Sequence, residues 1–348
     1  MEYRLLGRSG LKVSVFSFGA MTFGDGSGHF ASVGDTHGDA AQRQVDMCLE
    51  AGVNLFDTAD IYTKGQSEEL LGQALGKKRR DALIATKCFG RMGSGVNDLG
   101  ASRRHIVEAC EASLKRLGTD WIDLYQIHNQ DLMTPVEETL RALDDLVRAG
   151  KVRYIGSSNH SGWTKMRALA TSDRLGLSRY VSQQIRYSLL DRNFENELLP
   201  LGVHEGLGAL VWGPLSNGYL SGKFRNLADA SGTRLGSRGT LEGMDNEFTR
   251  KVISAVEDIA VTREVSMVQV ALNWVARRPG VATILIGART TEQLQDNLAA
   301  ASWSLNDTEM EHLDKASAKP PIYPYDMHGM FDGERNPGYA LHPPLPQD

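Results

Sequence analysis

The chain has 348 residues, 41% of them hydrophobic and 23% charged, a balance that supports a full core and excludes a disordered, collagen-like or coiled-coil protein. Its net charge of -5, from 43 acids against 38 bases, leaves no basic surplus for nucleic acid or an anionic membrane, so the expected partner is a small molecule. No apolar run reaches the ~18 residues of a membrane span, and MEYRLLGRSG lacks the apolar centre of a signal peptide, so a cytoplasmic protein is expected.

In chain order, YRLLG, the turn residues RSG and LKVSV read first as a short β-hairpin, expected to plug the bottom of a barrel. Short runs rich in Val, Ile, Leu and Phe then recur: VSVFSFG from residue 13, VNLFDTA from 53, ALIATK from 82 and IDLYQIH from 122. VRYIGSSN from 152, VSQQI from 181, GALVWGPL from 208 and TILIGA from 283 continue the series. Segments such as SEELLGQALGKK, SRRHIVEACEASLKRLG and PVEETLRALDDLVRAGK follow them, with apolar residues at i, i+3 and i+4. Eight strands, apolar on both faces and each followed by a helix, predict an α/β fold, a (β/α)8 TIM barrel, as one domain over residues 1–318.

Three loops are long: 22–38, 88–101 and 214–245, after strands one, three and seven. All follow the C-terminal ends of strands, the face on which barrel enzymes build their sites. The third, with its glycines and with Lys223, Arg225, Arg234 and Arg238, is expected to close over a bound ligand. Residues 319–348 hold 7 of the chain's 11 prolines with four aromatic residues, which predicts an irregular C-terminal tail covering the pocket.

Several signatures fail. GDGSG at residues 24–28 precedes no helix, so it is no dinucleotide fingerprint, and GYLSGK at 218–223 is one residue short of a phosphate loop. No HExxH and no GxSxG occurs. Cys48, Cys88 and Cys110 form an odd set without CxxC spacing, which argues for reduced thiols and against zinc.

Four polar residues fall at or just past the C-terminal ends of strands two, three and four: Asp57 and Tyr62 in FDTADIY, Lys87 in ATK and His128 in YQIH. Each alone is ordinary, since tyrosines pack, strand-end lysines are solvated and aspartates cap turns. Together they make one device. A tyrosine with a pKa near 10 acts as an acid at neutral pH only when its phenolate is stabilised. The Lys87 ammonium is expected to lower the Tyr62 pKa, Asp57 to keep Lys87 charged, and His128 to orient a carbonyl oxygen.

At the far end, Thr290 and Gln293 have the spacing of a capping box, so a helix is expected to begin just after Arg289, with Leu294 and Leu298 on its buried face. Free N–H groups of its first turn beside the guanidinium would make a phosphate site.

The stretches GVNLFDTADIY with SEELLGQAL, LIATK, LGTDWIDLYQIH, GKVRYIGSSN, the QxxYS of Gln184 to Ser188, WGPLSNGYLSGKF and IGARTTEQLQDNL together resemble the aldo-keto reductase superfamily over about residues 1–318. The resemblance implies a (β/α)8 barrel that uses NADPH/NADP+ without a Rossmann fold and reduces an aldehyde or ketone, sugar-derived carbonyls included. It implies Tyr62 as general acid, Lys87 and Asp57 tuning it, and His128 orienting the substrate. Ser158, Asn159 and Gln184 match positions that hold the nicotinamide carboxamide, Trp212 the aromatic on which the ring stacks, and Ala20 and Met21 the stretch along the ribose. Gly213 and Pro214 lead into Leu215, Ser216, Asn217 and Lys223, which resemble the pyrophosphate stretch, while Gly287, Arg289, Gln293, Asp296 and Asn297 match the adenosine end. Two residues depart from the pattern: Gly213 stands where the family commonly has serine, and Ile286 where it commonly has proline. The potassium-channel β-subunits also resemble this sequence, which gives the alternative of a cofactor-sensing binding subunit. The lack of a long segment before the hairpin makes the enzyme the expected reading.

Overall fold

The computed structural model describes residues 1–25, 33, 36–223 and 246–328. Tyr3–Leu5 (β1) and Lys12–Ser14 (β2) pair antiparallel, Tyr3 opposite Ser14 and Leu5 opposite Lys12. The apolar run that begins at residue 13 is therefore divided between two sheets. Val15 is the point of division: its N–H bonds to Glu2 O on the hairpin side, and its carbonyl accepts from Ile284 N on the barrel side.

Phe16–Gly19 (β3), Leu55–Asp57 (β4), Leu83–Cys88 (β5), Ile122–Ile127 (β6), Val152–Ser158 (β7), Tyr180–Arg186 (β8), Gly208–Trp212 (β9) and Val281–Ile286 (β10) form a closed barrel, with β10 pairing back onto β3. Every pair in it is parallel, which puts all eight C-terminal strand ends at one mouth.

The helices are Gly38–Glu50 (α1), Gln66–Leu75 (α2), Arg103–Leu117 (α3), Val136–Arg148 (α4) and Gly162–Leu175 (α5). Leu198–Glu205 (α6), Glu247–Arg263 (α7), Met267–Ala276 (α8), Thr291–Ala299 (α9) and Asp307–Ser317 (α10) complete those described. Their apolar stripes, with Val45, Leu71, Ile106, Leu143, Leu169, Val270 and Leu294, meet the outward faces of the strands in one continuous core. Each such side chain contributes on the order of 1.5–3 kcal/mol by leaving water. No described helix is long and apolar enough to cross a membrane.

The hairpin fills the opposite, N-terminal mouth. Leu6 and Val13 pack against Leu55, Ala85, Leu124, Leu210 and Ala282, the inward residues of the lower strand halves. Gly7 makes this fit possible, because at φ +61 its backbone lies so close to Gly206 that a Cβ would collide with the Gly206 carbonyl oxygen.

The three long connections stand where expected, with α1, α3 and α7 starting at residues 38, 103 and 247. Most of the first, and the third from residue 224, with Arg225, Arg234 and Arg238, lie outside the described residues. The tail is irregular through residue 328 and mostly exposed; residues 329–348, on which the expectation of a pocket cover mainly rests, lie outside the described residues. All three cysteines are buried and unbridged.

Candidate active site

Side chains alternate along a strand, so the residue two positions beyond an inward one is inward again, one layer higher. Leu55, Ala85, Leu124 and Leu210 line the lower layer; two residues on stand Asp57, Lys87, Gln126 and Trp212. The apolar floor thus fixes which polar groups face the C-terminal mouth.

Lys87 sits at the centre, with no exposed surface. Its Nζ donates to Asp57 Oδ1 at 2.5 Å, to Thr58 O at 2.8 Å and to Tyr62 Oη at 3.3 Å. The other carboxylate oxygen of Asp57 accepts from Gln184 Nε2 at 2.8 Å and from Gln126 Nε2 at 3.3 Å. Burial pulls the Lys87 pKa down, but Asp57 and Tyr62 pull harder the other way, and the net direction is up, so the ammonium stays charged. For Asp57 burial pushes the pKa up against the pull of Lys87 and the two amides.

Tyr62 departs from expectation. Its ring is 8% exposed, and burial raises its pKa more than Lys87 lowers it, with Asp57 adding to the rise. The low dielectric that strengthens the lysine's pull also disfavours the phenolate itself, and the second effect wins. Tyr62 therefore holds its proton firmly at neutral pH.

His128 follows β6, anchored by its N–H to Cys88 O at 2.9 Å. Its half-buried ring meets that of Tyr62 edge-on, with centroids 5.7 Å apart. Burial, then the positive Lys87, push its pKa down to about 3. It is a neutral imidazole, able to donate a hydrogen bond to a carbonyl oxygen. The four residues singled out by the sequence are together. Gln126 was missed, although its place two residues before His128 on an alternating strand was the available signal.

The remaining predicted residues ring the same mouth. Asn159, at φ 54, ties two strand ends: its Nδ2 donates to His128 O at 3.0 Å and its Oδ1 accepts from Trp212 Nε1 at 3.2 Å. Ser158 Oγ donates to Gln184 O at 3.1 Å. Ala20 is buried and Met21 half-buried in the turn after β3, where Ala20 O accepts from Ser67 Oγ at 2.7 Å. Gly213 has φ +66, which explains a glycine where a side chain would be strained. Beyond Pro214 and Leu215, Ser216 Oγ shares a hydrogen bond with Ser188 Oγ at 2.6 Å, and Asn217 and Lys223 are exposed.

At the last strand, Gly287 and Arg289 are exposed, and Asn297 Nδ2 fastens the strand end through Gly287 O at 3.2 Å. Asp296 Oδ1 accepts from Gln269 Nε2 on α8 at 2.7 Å, a bond within the helical layer. The helix starts where expected, but its cap differs. Thr290 Oγ1 accepts from Gln293 N at 3.3 Å, while Gln293 Oε1 takes the N–H of Arg289 at 3.1 Å in place of that of Thr290. The carboxylate of Glu292 bonds to Thr290, its own N–H and Thr291, which holds its pKa low. The first turn is thus partly capped by the chain itself, and the expectation of free N–H groups there is corrected: any anion must compete with Glu292.

Among the described residues no group of three or more His, Cys, Asp or Glu is arranged to hold a metal ion.

The model of the aldo/keto reductase family matches residues 16–318. The chain is 38% identical over 312 residues to a probable voltage-gated potassium channel subunit beta of Arabidopsis thaliana, covering 86% of this chain and 91% of the relative. It is 38% identical over 317 residues to the uncharacterized oxidoreductase YrpG of Bacillus subtilis, covering 88% and 93%. To the versiconal hemiacetal acetate reductase of Aspergillus parasiticus it is 32% identical over 345 residues, covering 93% and 99%.

Proposed function

The chain belongs to the aldo/keto reductase family, and from that premise we propose that it reduces an aldehyde or ketone, sugar-derived carbonyls included, to the alcohol with NADPH, with Tyr62 as the proton donor. The observation that carries the reading is the buried ammonium of Lys87, shared between Asp57 Oδ1 at 2.5 Å and Tyr62 Oη at 3.3 Å.

The donor set fits a nicotinamide dinucleotide. Trp212 offers a half-buried indole at the mouth, Ser158, Asn159 and Gln184 offer hydroxyl and amide groups beside it, and Lys223 and Arg289 are exposed cations at the rim for a molecule that carries phosphates. Ala20 and Met21 would line the ribose, Leu215, Ser216 and Asn217 the pyrophosphate, and Gly287, Gln293, Asp296 and Asn297 the adenosine. When bound, such a cofactor supplies the hydride that the carbonyl carbon gains.

The chain's own residues do the rest. The neutral His128 donates a hydrogen bond to the carbonyl oxygen and holds it before Tyr62. Tyr62, whose proton is secured by burial, passes that proton from Oη to the oxygen as negative charge develops there. The phenolate left behind faces Lys87, so the lysine's attraction is greatest after the proton has moved. That is stabilisation of the transition state over the ground state. Asp57, held by two amides and the lysine, keeps the ammonium in place.

Arg289 supports NADPH over NADH, because the 2′-phosphate is the group a guanidinium at this rim would recognise. The relative named as a channel subunit beta favours a second reading, a cofactor-binding partner subunit. Incubating the chain with NADPH or NADH and a panel of aldehydes, ketones and sugars decides between them. Turnover with NADPH supports the reductase; cofactor binding without turnover on any carbonyl, with a stable oligomer on gel filtration, supports the subunit.

A further inference from the structure

Asp60 lies in the turn between Asp57 and Tyr62, its N–H bonded to Lys87 O at 3.1 Å. Its side chain is fully buried, and neither carboxyl oxygen has a hydrogen-bond partner of good geometry. It lines a cavity of about 230 Å³ bounded by the 92–98 loop and α3, whose lining includes none of Asp57, Tyr62, Lys87 and His128. His105, 4% exposed, lines the same cavity, and its Nε2 is likewise unsatisfied.

The charged neighbours do not pair with it. Arg116 on α3 is spent on Glu68 of α2, with Nε to Oε2 at 2.6 Å, and the other oxygen of Glu68 accepts from Thr86 Oγ1 at 2.5 Å. Asp98 and Glu108 stand on the other walls of the cavity, and from the barrel side Lys87, Cys88, Tyr125 and Tyr62 lie within electrostatic reach. Burial and then Glu68 push Asp60 up to about 8, against the Ile61 N–H, Arg116 and Lys87.

We propose that Asp60 is a positioning residue of the reduction, acting from behind the Tyr62 turn on the Lys87–Tyr62 pair and holding the Tyr62 proton in alkali. The inference rests on the reading of Tyr62 as the acid. At neutral pH the carboxyl is uncharged and silent. When it ionises it adds a negative charge near Tyr62, which disfavours the phenolate and raises the Tyr62 pKa.

The test is a pair of pH profiles from about pH 6 to about pH 12, past the ordinary tyrosine value, for the full chain and for Asp60→Asn. One is kcat on a carbonyl found in the panel. The other is phenolate absorbance at Tyr62, taken as the difference from Tyr62→Phe in each background. Below about pH 7, where Asp60 is already neutral, the variant should match the wild type within about twofold. Above that, its Tyr62 phenolate should form at lower pH and its activity fall earlier. Asp60→Ser, also neutral, should give the same displacement if Asn perturbs folding. Superimposable Tyr62 titrations overturn the inference, as does an equal loss of activity at every pH, which is a structural effect. If no variant turns over any carbonyl, the proposed function has failed while the absorbance titration still decides this one.

Discussion

Lys87, inside the C-terminal mouth, and Lys165, between α5 and β7, are both without exposed surface, yet they are driven in opposite directions. Lys87 faces a carboxylate at 2.5 Å, a carbonyl and a phenol, and its pKa is raised. Lys165 donates to the hydroxyl of Ser157 at 2.7 Å, and burial, with no acid to oppose it, takes its pKa down to about 7. Depth alone therefore does not mark a functional cation. The acceptors gathered around an ammonium decide whether it stays charged, and the barrel gathers them at one end.

The comparison breaks most visibly on removal of the paired lysine. Lys87→Met leaves Asp57 buried without its cation, and should cost about 3–5 kcal/mol in denaturant unfolding. It should also lower kcat at least about a hundredfold. A variant as stable as the wild type would show that the pair is not coupled as described.

Lys165→Met should do the reverse. Between about pH 7 and its ordinary value of 10.5, Lys165 keeps its proton when unfolded and sheds it when folded. The unfolded state binds more protons, so wild-type stability should rise with pH across that window, with the full penalty present below it. Lys165→Met should lose this rise and gain up to roughly 4 kcal/mol near pH 7. Equal pH slopes in both proteins would contradict the assignment.

A third cation sharpens the contrast. Arg289 is exposed, so Arg289→Leu should leave stability unchanged, yet raise KM for NADPH by about 1.5–3 kcal/mol while barely moving that for NADH. Equal losses for both would assign Arg289 to the adenine or the fold. Smallest is Gly213→Ser, which restores the family's commoner residue at φ +66. It should cost about 1–2 kcal/mol in thermal unfolding; a stabilised variant would show that the turn is not strained.

The barrel was legible because each strand carries an apolar run and each helix an apolar stripe, and because the floor of Leu55, Ala85 and Leu124 fixes the parity that turns Asp57, Lys87 and Gln126 inward. Where one run serves two sheets, as at Val15, pattern has no marker for the division. Lys165 lay within a helical stretch where a lysine normally reaches solvent, and its burial is visible only once α5 sits on β7. The direction of the Tyr62 pKa needed the balance of desolvation against the pull of Lys87, two opposed effects that spacing cannot weigh. At Arg289 the sequence placed the helix start correctly but not the competition of Gln293 and Glu292 for its N–H groups, which turns on side-chain rotamers.

The central claim, that Tyr62 delivers the proton and the rest of the mouth serves it, is tested most directly by Tyr62→Phe, which removes the hydroxyl and keeps the ring. With NADPH and a carbonyl substrate, kcat should fall at least about a hundredfold, while the Kd for NADPH stays within about twofold of wild type. A variant that keeps more than about half of the wild-type kcat would contradict the account.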